Sequence, residues 1–68
     1  MNKFSQRLKE LREEYNLTQE QLGEIIGYTQ SGIARWEQAE RQPDIDMLIK
    51  LAVFFNVSVD YLVGNVDW

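Results

Sequence analysis

Apolar residues recur along this chain at intervals of three and four, the spacing that keeps side chains on one face of an α-helix. Phe4, Leu8, Leu11 and Tyr15 predict a first helix from about Lys3 to Tyr15, with Asn16 as a left-handed stop. Thr18 opens a second helix, and Gln21 three residues later completes a capping box. Leu22 and Ile26 give that helix its apolar face, and Gly27 falls where it must end. Thr29 caps a third helix whose apolar positions are Ile33 and Trp36. A polar stretch, Gln38–Gln42, leads to Pro43, through which a helix cannot run straight. Asp44 caps a fourth helix, with Asp46 in its first turn and Ile45, Leu48, Leu51, Ala52 and Phe55 as the expected buried stripe. Asn56 stops it. Ser58 caps a short fifth helix, Val59–Val63, closed by Gly64, and the tail Asn65–Trp68 is expected to be loose. With no strand pattern, repeat or linker, the expectation is an all-α fold, a compact five-helix bundle forming one domain over residues 1–68.

The window Gln19–Gln38 carries the most specific signal. Two short helices meet there at a tight turn, the spacing of a helix-turn-helix. Gly23 sits mid-helix, where Gly costs about 1 kcal/mol relative to Ala. Close approach of another helix is the simplest reason for it. The third helix leaves Gln30, Ser31, Ala34, Arg35 and Gln38 facing outward. Gln, Ser and Arg can read base edges in a DNA major groove. They also make an ordinary polar surface, and spacing alone leaves both readings open. Trp36 is expected in the core rather than as a platform for a base.

Two charges fall on apolar faces. Arg12 follows Leu8 by four residues and Phe4 by eight, and Glu37 follows Ile33 by four. Buried charges need partners. Either the two pair, tying the first helix to the third, or both snorkel to solvent. Pairing is the expectation.

Composition narrows the function. The chain has neither cysteine nor histidine, which removes disulfides, Cys/His zinc sites and Ser-His or Cys-His nucleophiles. No cofactor, metal or small-molecule ligand is called for. Carboxylates are plentiful, but they lie on convex helix surfaces, so no enzyme is expected. No apolar run approaches the length of a membrane span, and no signal-peptide pattern follows Met1, so a cytoplasmic protein without membrane contact is expected. The net charge of −4 is unusual for a nucleic-acid binder, whose affinity draws on phosphate neutralisation. The acidity is uneven, however. Glu10, Glu13, Glu14, Glu20 and Glu24 lie on the first two helices, whereas Gly27–Pro43 balances Arg35 and Arg41 against Glu37 and Glu40.

The runs RLKELREEYNLTQEQLGEIIG, Ile33–Glu37, Pro43–Asp44 and LIKLAVFFNVSVDYLVG resemble the phage-repressor and Cro-type helix-turn-helix domains, a large group of bacterial and phage transcription regulators. The resemblance spans Phe4 to Gly64. It implies a lambda-repressor-like fold with the third helix in the major groove of double-stranded DNA. Gln30, Ser31 and Arg35 then fall where the family reads bases. Thr18, Gln19, Thr29, Gln38, Arg41 and Gln42 fall where it follows the DNA backbone, Gln19 also bracing the recognition helix. The family commonly has a buried Arg–Glu pair at the positions of Arg12 and Glu37, and it usually dimerises through the far end of the domain. At that end Val53, Phe54, Tyr61 and Val63 are apolar where many relatives are polar. With Val59 they are the expected homodimer surface, although scattered surface apolarity is the plain alternative.

The leading expectation is therefore a sequence-specific transcription regulator, a repressor that binds a palindromic operator as a homodimer. The alternative is a protein-interaction module of the same fold, an antitoxin or antirepressor with weak or no DNA binding. The acidity and the apolar end favour the alternative, and the glutamine and arginine on the third helix disfavour it.

Overall fold

The helix boundaries follow from local capping chemistry. The computed structural model describes residues 2–68, so the expected domain bounds begin at a residue outside the described range. It contains α1 (Phe4–Glu14), α2 (Gln19–Ile26), α3 (Gln30–Glu37), α4 (Ile45–Phe55) and α5 (Val59–Leu62), with no strand among the described residues. In α2 the capping box is complete: the Gln21 amide donates to Thr18 Oγ1 at 3.0 Å, and the Thr18 amide donates to Gln21 Oε1 at 2.9 Å. Thr29, Asp44 and Ser58 accept in the same way from Gly32, Met47 and Tyr61. Each satisfies an amide that the first turn leaves without an intrahelical partner. At the other ends, Gly27 (φ 77°) and Asn56 (φ 55°) turn the chain left-handed after α2 and α4, and Asn16 (φ 56°) does so after α1. Ala39 (φ 61°) takes the same conformation after α3, where the sequence offers neither Gly nor Asn.

The core is one cluster drawn from all five helices. Phe4, Leu8 and Leu11 come from α1, Leu22 and Ile26 from α2, Ile33 and Trp36 from α3, Leu51, Ala52 and Phe55 from α4, and Leu62 from α5. Phe4 meets Trp36 edge to face, with ring centroids 6.3 Å apart.

Three expectations need correction. Ile45 is 75% exposed and is not part of the buried stripe. At 100° per residue, Leu51, Ala52 and Phe55 centre about 75° away from Ile45. Ile45 instead begins an outward row with Ile49 and Val53, one helical turn apart. Gly23 is not explained by a neighbouring helix. A Cβ there would lie 2.6 Å from the Tyr28 carbonyl oxygen, so the backbone that approaches is the turn itself. Finally, the tail is tied down. Arg7, on the buried face of α1, donates through Nη1 to the carbonyls of Tyr61 (2.6 Å) and Val66 (2.8 Å), and its Nη2 lies 3.3 Å from Asp67 Oδ1. Its guanidinium also sits 4.1 Å from the centroid of the Tyr61 ring.

Candidate nucleic-acid interface

The angle between α2 and α3 is set by small residues and a stacked pair of rings. Gly23 lets the Tyr28 carbonyl close onto α2, and the amides of Gly27 and Tyr28 both donate back to the Gly23 carbonyl at 2.8 Å. Tyr28 then lies flat on Trp36, with centroids 4.4 Å apart and ring planes 19° from parallel. Its ring passes so close to Gly32 that a Cβ there would collide with Tyr28 Cε2 and Cδ2. Neither Tyr28 nor Gly32 stood out in the sequence. Gly32 could have been found by the reasoning applied to Gly23, because both are glycines inside helices. Lys50 is a third such residue. It reaches from α4 to donate to the Ile26 carbonyl at 2.8 Å, placing a cation at the C-terminus of α2, whose last turn has no basic residue.

With α3 so fixed, its outer face presents Gln30, Ser31, Arg35 and Gln38 to solvent, with Ala34 half-buried between them. The helix has eight residues, a length of about 12 Å, close to the width of a B-DNA major groove. Thr29 at the start of α3 and Thr18 at the start of α2 are exposed. Gln19 is half-buried beside them. Arg41 and Gln42 are exposed in the segment between α3 and α4. Arg35 has no ion-pair partner among the described residues, so its guanidinium is free to take an external anion or base.

Beneath this face lies a chain of hydrogen bonds. Arg12 Nε donates to Glu37 Oε2 at 2.6 Å, and Arg12 Nη2 donates to Glu37 Oε1 at 3.0 Å. The remaining guanidinium nitrogen, Nη1, donates to the Leu17 carbonyl at 2.7 Å. Both side chains are nearly buried, 12% and 4% exposed. The hydrogen bond to Glu37 holds the Arg12 pKa above its ordinary value, outweighing the desolvation that lowers it. Gln19 Nε2 donates to Glu37 Oε1 at 3.0 Å, and Gln30 Nε2 donates to Gln19 Oε1 at 2.7 Å. The structure thus joins four residues singled out in the sequence, Arg12, Glu37, Gln19 and Gln30, in one continuous series.

The apolar end differs in detail from expectation. Val53 is 74% exposed, but Phe54, Val59, Tyr61 and Val63 are half-buried, and the first three pack against the core. Phe54 lies against Phe55 and Tyr15, with centroids 4.9 and 5.8 Å away. A groove of about 460 Å³ opens beside Tyr61, walled by Val57, Val66 and Trp68.

Known proteins share this architecture. A helix-turn-helix family model matches residues 8–62. An uncharacterised helix-turn-helix transcriptional regulator of Bacillus subtilis, YobD, is 42% identical over 94% of the chain and 57% of its own length. A transcriptional regulator from Listeria innocua superposes with a TM-score of 0.91 at 35% identity, over 97% of this chain and 62% of that one. The c2 repressor of phage P22, crystallised with a synthetic operator, superposes with a TM-score of 0.86 at 27% identity, over 93% of this chain and 96% of that one. The chain spans about half the length of the first two curated relatives, 57% and 49%. Among the described residues no helix is long and apolar enough to cross a membrane. The match of motif, core and turn over most of its length means that the chain belongs to the Cro/C1-type helix-turn-helix family.

Proposed function

We propose that this domain is the sequence-reading part of a transcription regulator, a repressor that binds double-stranded DNA with α3 in the major groove. The observation that carries this reading is the outer face of α3. It offers Gln30, Ser31 and Arg35 at the surface, with Gln30 held from behind by Gln19. Gln can pair with adenine through N6 and N7, and Arg with guanine through O6 and N7. The starts of α2 and α3, with Thr18, Gln19 and Thr29, offer amide and hydroxyl donors to phosphates, and Gln38, Arg41 and Gln42 extend that path. The superposition on a repressor crystallised with operator supports the same orientation. Two such domains acting as a homodimer would read the half-sites of a palindrome about 34–36 Å apart.

Selection of duplexes from a random library tests the proposal. Enrichment of a defined half-site is expected. Gln30→Ala should then weaken binding by roughly 1–3 kcal/mol and relax one base position. Arg35→Ala should relax a second position, or, if Arg35 grips a phosphate, weaken all sequences alike and lower the salt slope by about one unit. Unchanged affinity and specificity in both variants would overturn the placement of α3.

The net charge of −4 and the outward row Ile45, Ile49 and Val53 favour a second reading, an interaction module of the same fold that has lost DNA affinity. Electrophoretic mobility at low and moderate salt separates the two. No retardation of any duplex at low salt would support the module.

A further inference from the structure

The outward row on α4 differs from the other exposed apolar residues. Tyr15, Ile25, Tyr28 and Trp68 lie singly on other parts of the chain, as surface apolar residues commonly do. Ile45, Ile49 and Val53 instead stand one turn apart along one helix, all exposed. At 100° per residue the row centres on Ile49, with Asp46 about 60° and Lys50 about 100° to one side of it. The other side is closed by Leu48, half-buried, and Ala52, buried. Asp46 and Lys50 are exposed and four residues apart, the spacing at which opposite charges pair along a helix. Here they do not. Lys50 donates to the Ile26 carbonyl, which uses one of its three N–H groups, and neither residue has an ion-pair partner among the described residues.

An occupant that fits this face needs an apolar stripe, a cation level with Asp46 and a carboxylate level with Lys50. A second α4 running antiparallel supplies all three. With the twofold axis at the level of Leu48, Asp46 comes level with Lys50 of the second copy, and Lys50 with its Asp46. Ile45 then falls between Ile49 and Val53 of the second copy, and the two Ile49 side chains stand about 3 Å apart along the helix. Such reciprocity is what a twofold interface requires. A parallel pair would set the charges on opposite flanks and join neither.

We propose that the outer face of α4, through Ile45, Ile49 and Val53, docks antiparallel on the same face of a second copy of this chain. The inference rests on the reading of the protein as a homodimer. It places the axis across α4 rather than among Val59, Tyr61 and Val63, which are half-buried. It does not depend on what α3 contacts. The row offers apolar surface on the order of a few hundred Å², short of the roughly 800 Å² per partner of a standard interface. The dimer is therefore weak in free solution and gains when a palindromic duplex holds two copies together.

The chain has no cysteine, so introduced thiols report the contact without background. Ile49→Cys should oxidise to a covalent dimer, because the two copies of residue 49 meet beside the axis, within the span of a disulfide. Ile45→Cys and Val53→Cys should each stay monomeric, since identical residues then lie about 9 and 15 Å apart along the helix. Mixed together, those two should link to each other. Random collision would do the reverse, for Ile49 is the least exposed of the three, 48% against 75% and 74%. In sedimentation, Asp46→Lys should raise the dimer dissociation constant by about fivefold, as two exposed ion pairs are lost, and an unchanged constant would refute the register. Linking of Ile45→Cys or Val53→Cys alone, as fast as Ile49→Cys, would overturn the antiparallel docking. If Val59→Cys links and Ile49→Cys does not, the homodimer stands on α5 and the α4 contact fails. If the chain sediments as a monomer at every concentration, with and without a palindromic duplex, the homodimer reading fails with it.

Discussion

Glu37 accepts three hydrogen bonds with only 4% of its side chain exposed, two from Arg12 and one from Gln19. An ion pair this buried is worth little against well-packed apolar residues, but removing one partner leaves the other charged and unpaired. Arg12→Ala or Glu37→Ala should each cost about 3–5 kcal/mol, much of the stability of a small domain. Arg12→Met with Glu37→Leu should cost far less than the sum. Urea denaturation of the three variants checks this, and small additive losses would mean that the pair contributes nothing specific. Because the folded-state pKa of Arg12 is raised, its share of stability is complete below the ordinary arginine range and is lost only in strong alkali. The pair was legible because both charges fall on apolar faces at helical spacing. Arg7 follows the same rule, three residues after Phe4 and four before Leu11. Its partners are backbone carbonyls more than fifty residues away, which no local pattern names.

Caps at the scale of the helix were the most legible feature of the fold. Thr18, Thr29, Asp44 and Ser58 bond to amides three residues on, so the signal and its partner share one short window. Stripe phase was harder to read. Ile45 precedes Leu48 by three residues and so reads as part of the stripe, yet it lies about 75° from the centre of the buried residues and faces outward with Ile49 and Val53. The turn shows how a local rule can be overridden. Ala favours helix over Gly by about 1 kcal/mol. Gly23→Ala should nonetheless destabilise the protein by about 1–3 kcal/mol, because its Cβ would press on the Tyr28 carbonyl, which is backbone and cannot move aside. Ala39→Gly should act in the opposite direction. Ala39 holds φ 61°, a conformation that costs an L-residue roughly 1–2 kcal/mol and glycine almost nothing. The greater freedom of glycine in the unfolded chain offsets about half of that, leaving a gain of about 0.5–1 kcal/mol. Thermal melts of both variants give the signs directly, and a stabilised Gly23→Ala would contradict the close approach at the turn.

For the molecule as a whole, the acidic balance makes association the central question. With a net charge of −4, a lone domain has little non-specific hold on phosphate. Occupying two half-sites at once can raise affinity by about 10²–10⁴ through effective concentration. The proposed homodimer surface was legible as a set of apolar residues, but which of them face outward was not. Phe54 packs on Phe55 and Tyr15, so a charge there would damage the core as well as any interface. Val53, at 74% exposed, is the cleaner probe. Val53→Lys should leave the melting temperature nearly unchanged while lowering operator affinity and cooperativity. Sedimentation with a palindromic duplex should find two chains per site, and one chain at saturation would refute the dimer.

The two tryptophans give the protein an optical consequence of its own. Trp36 is 1% exposed at the back of α3, with Tyr28 stacked on it, while Trp68 is 83% exposed in the wall of the groove beside Tyr61. Their emission should therefore separate by colour and by access to a soluble quencher. Trp36 emits from an apolar site, with Tyr28 close enough to pass excitation to it, and Trp68 emits from water. A Trp68→Phe protein would report on the seating of α3 alone, and a Trp36→Phe protein on events at the groove. One chain thus carries a separate lamp for its recognition helix and for the groove at its C-terminal end.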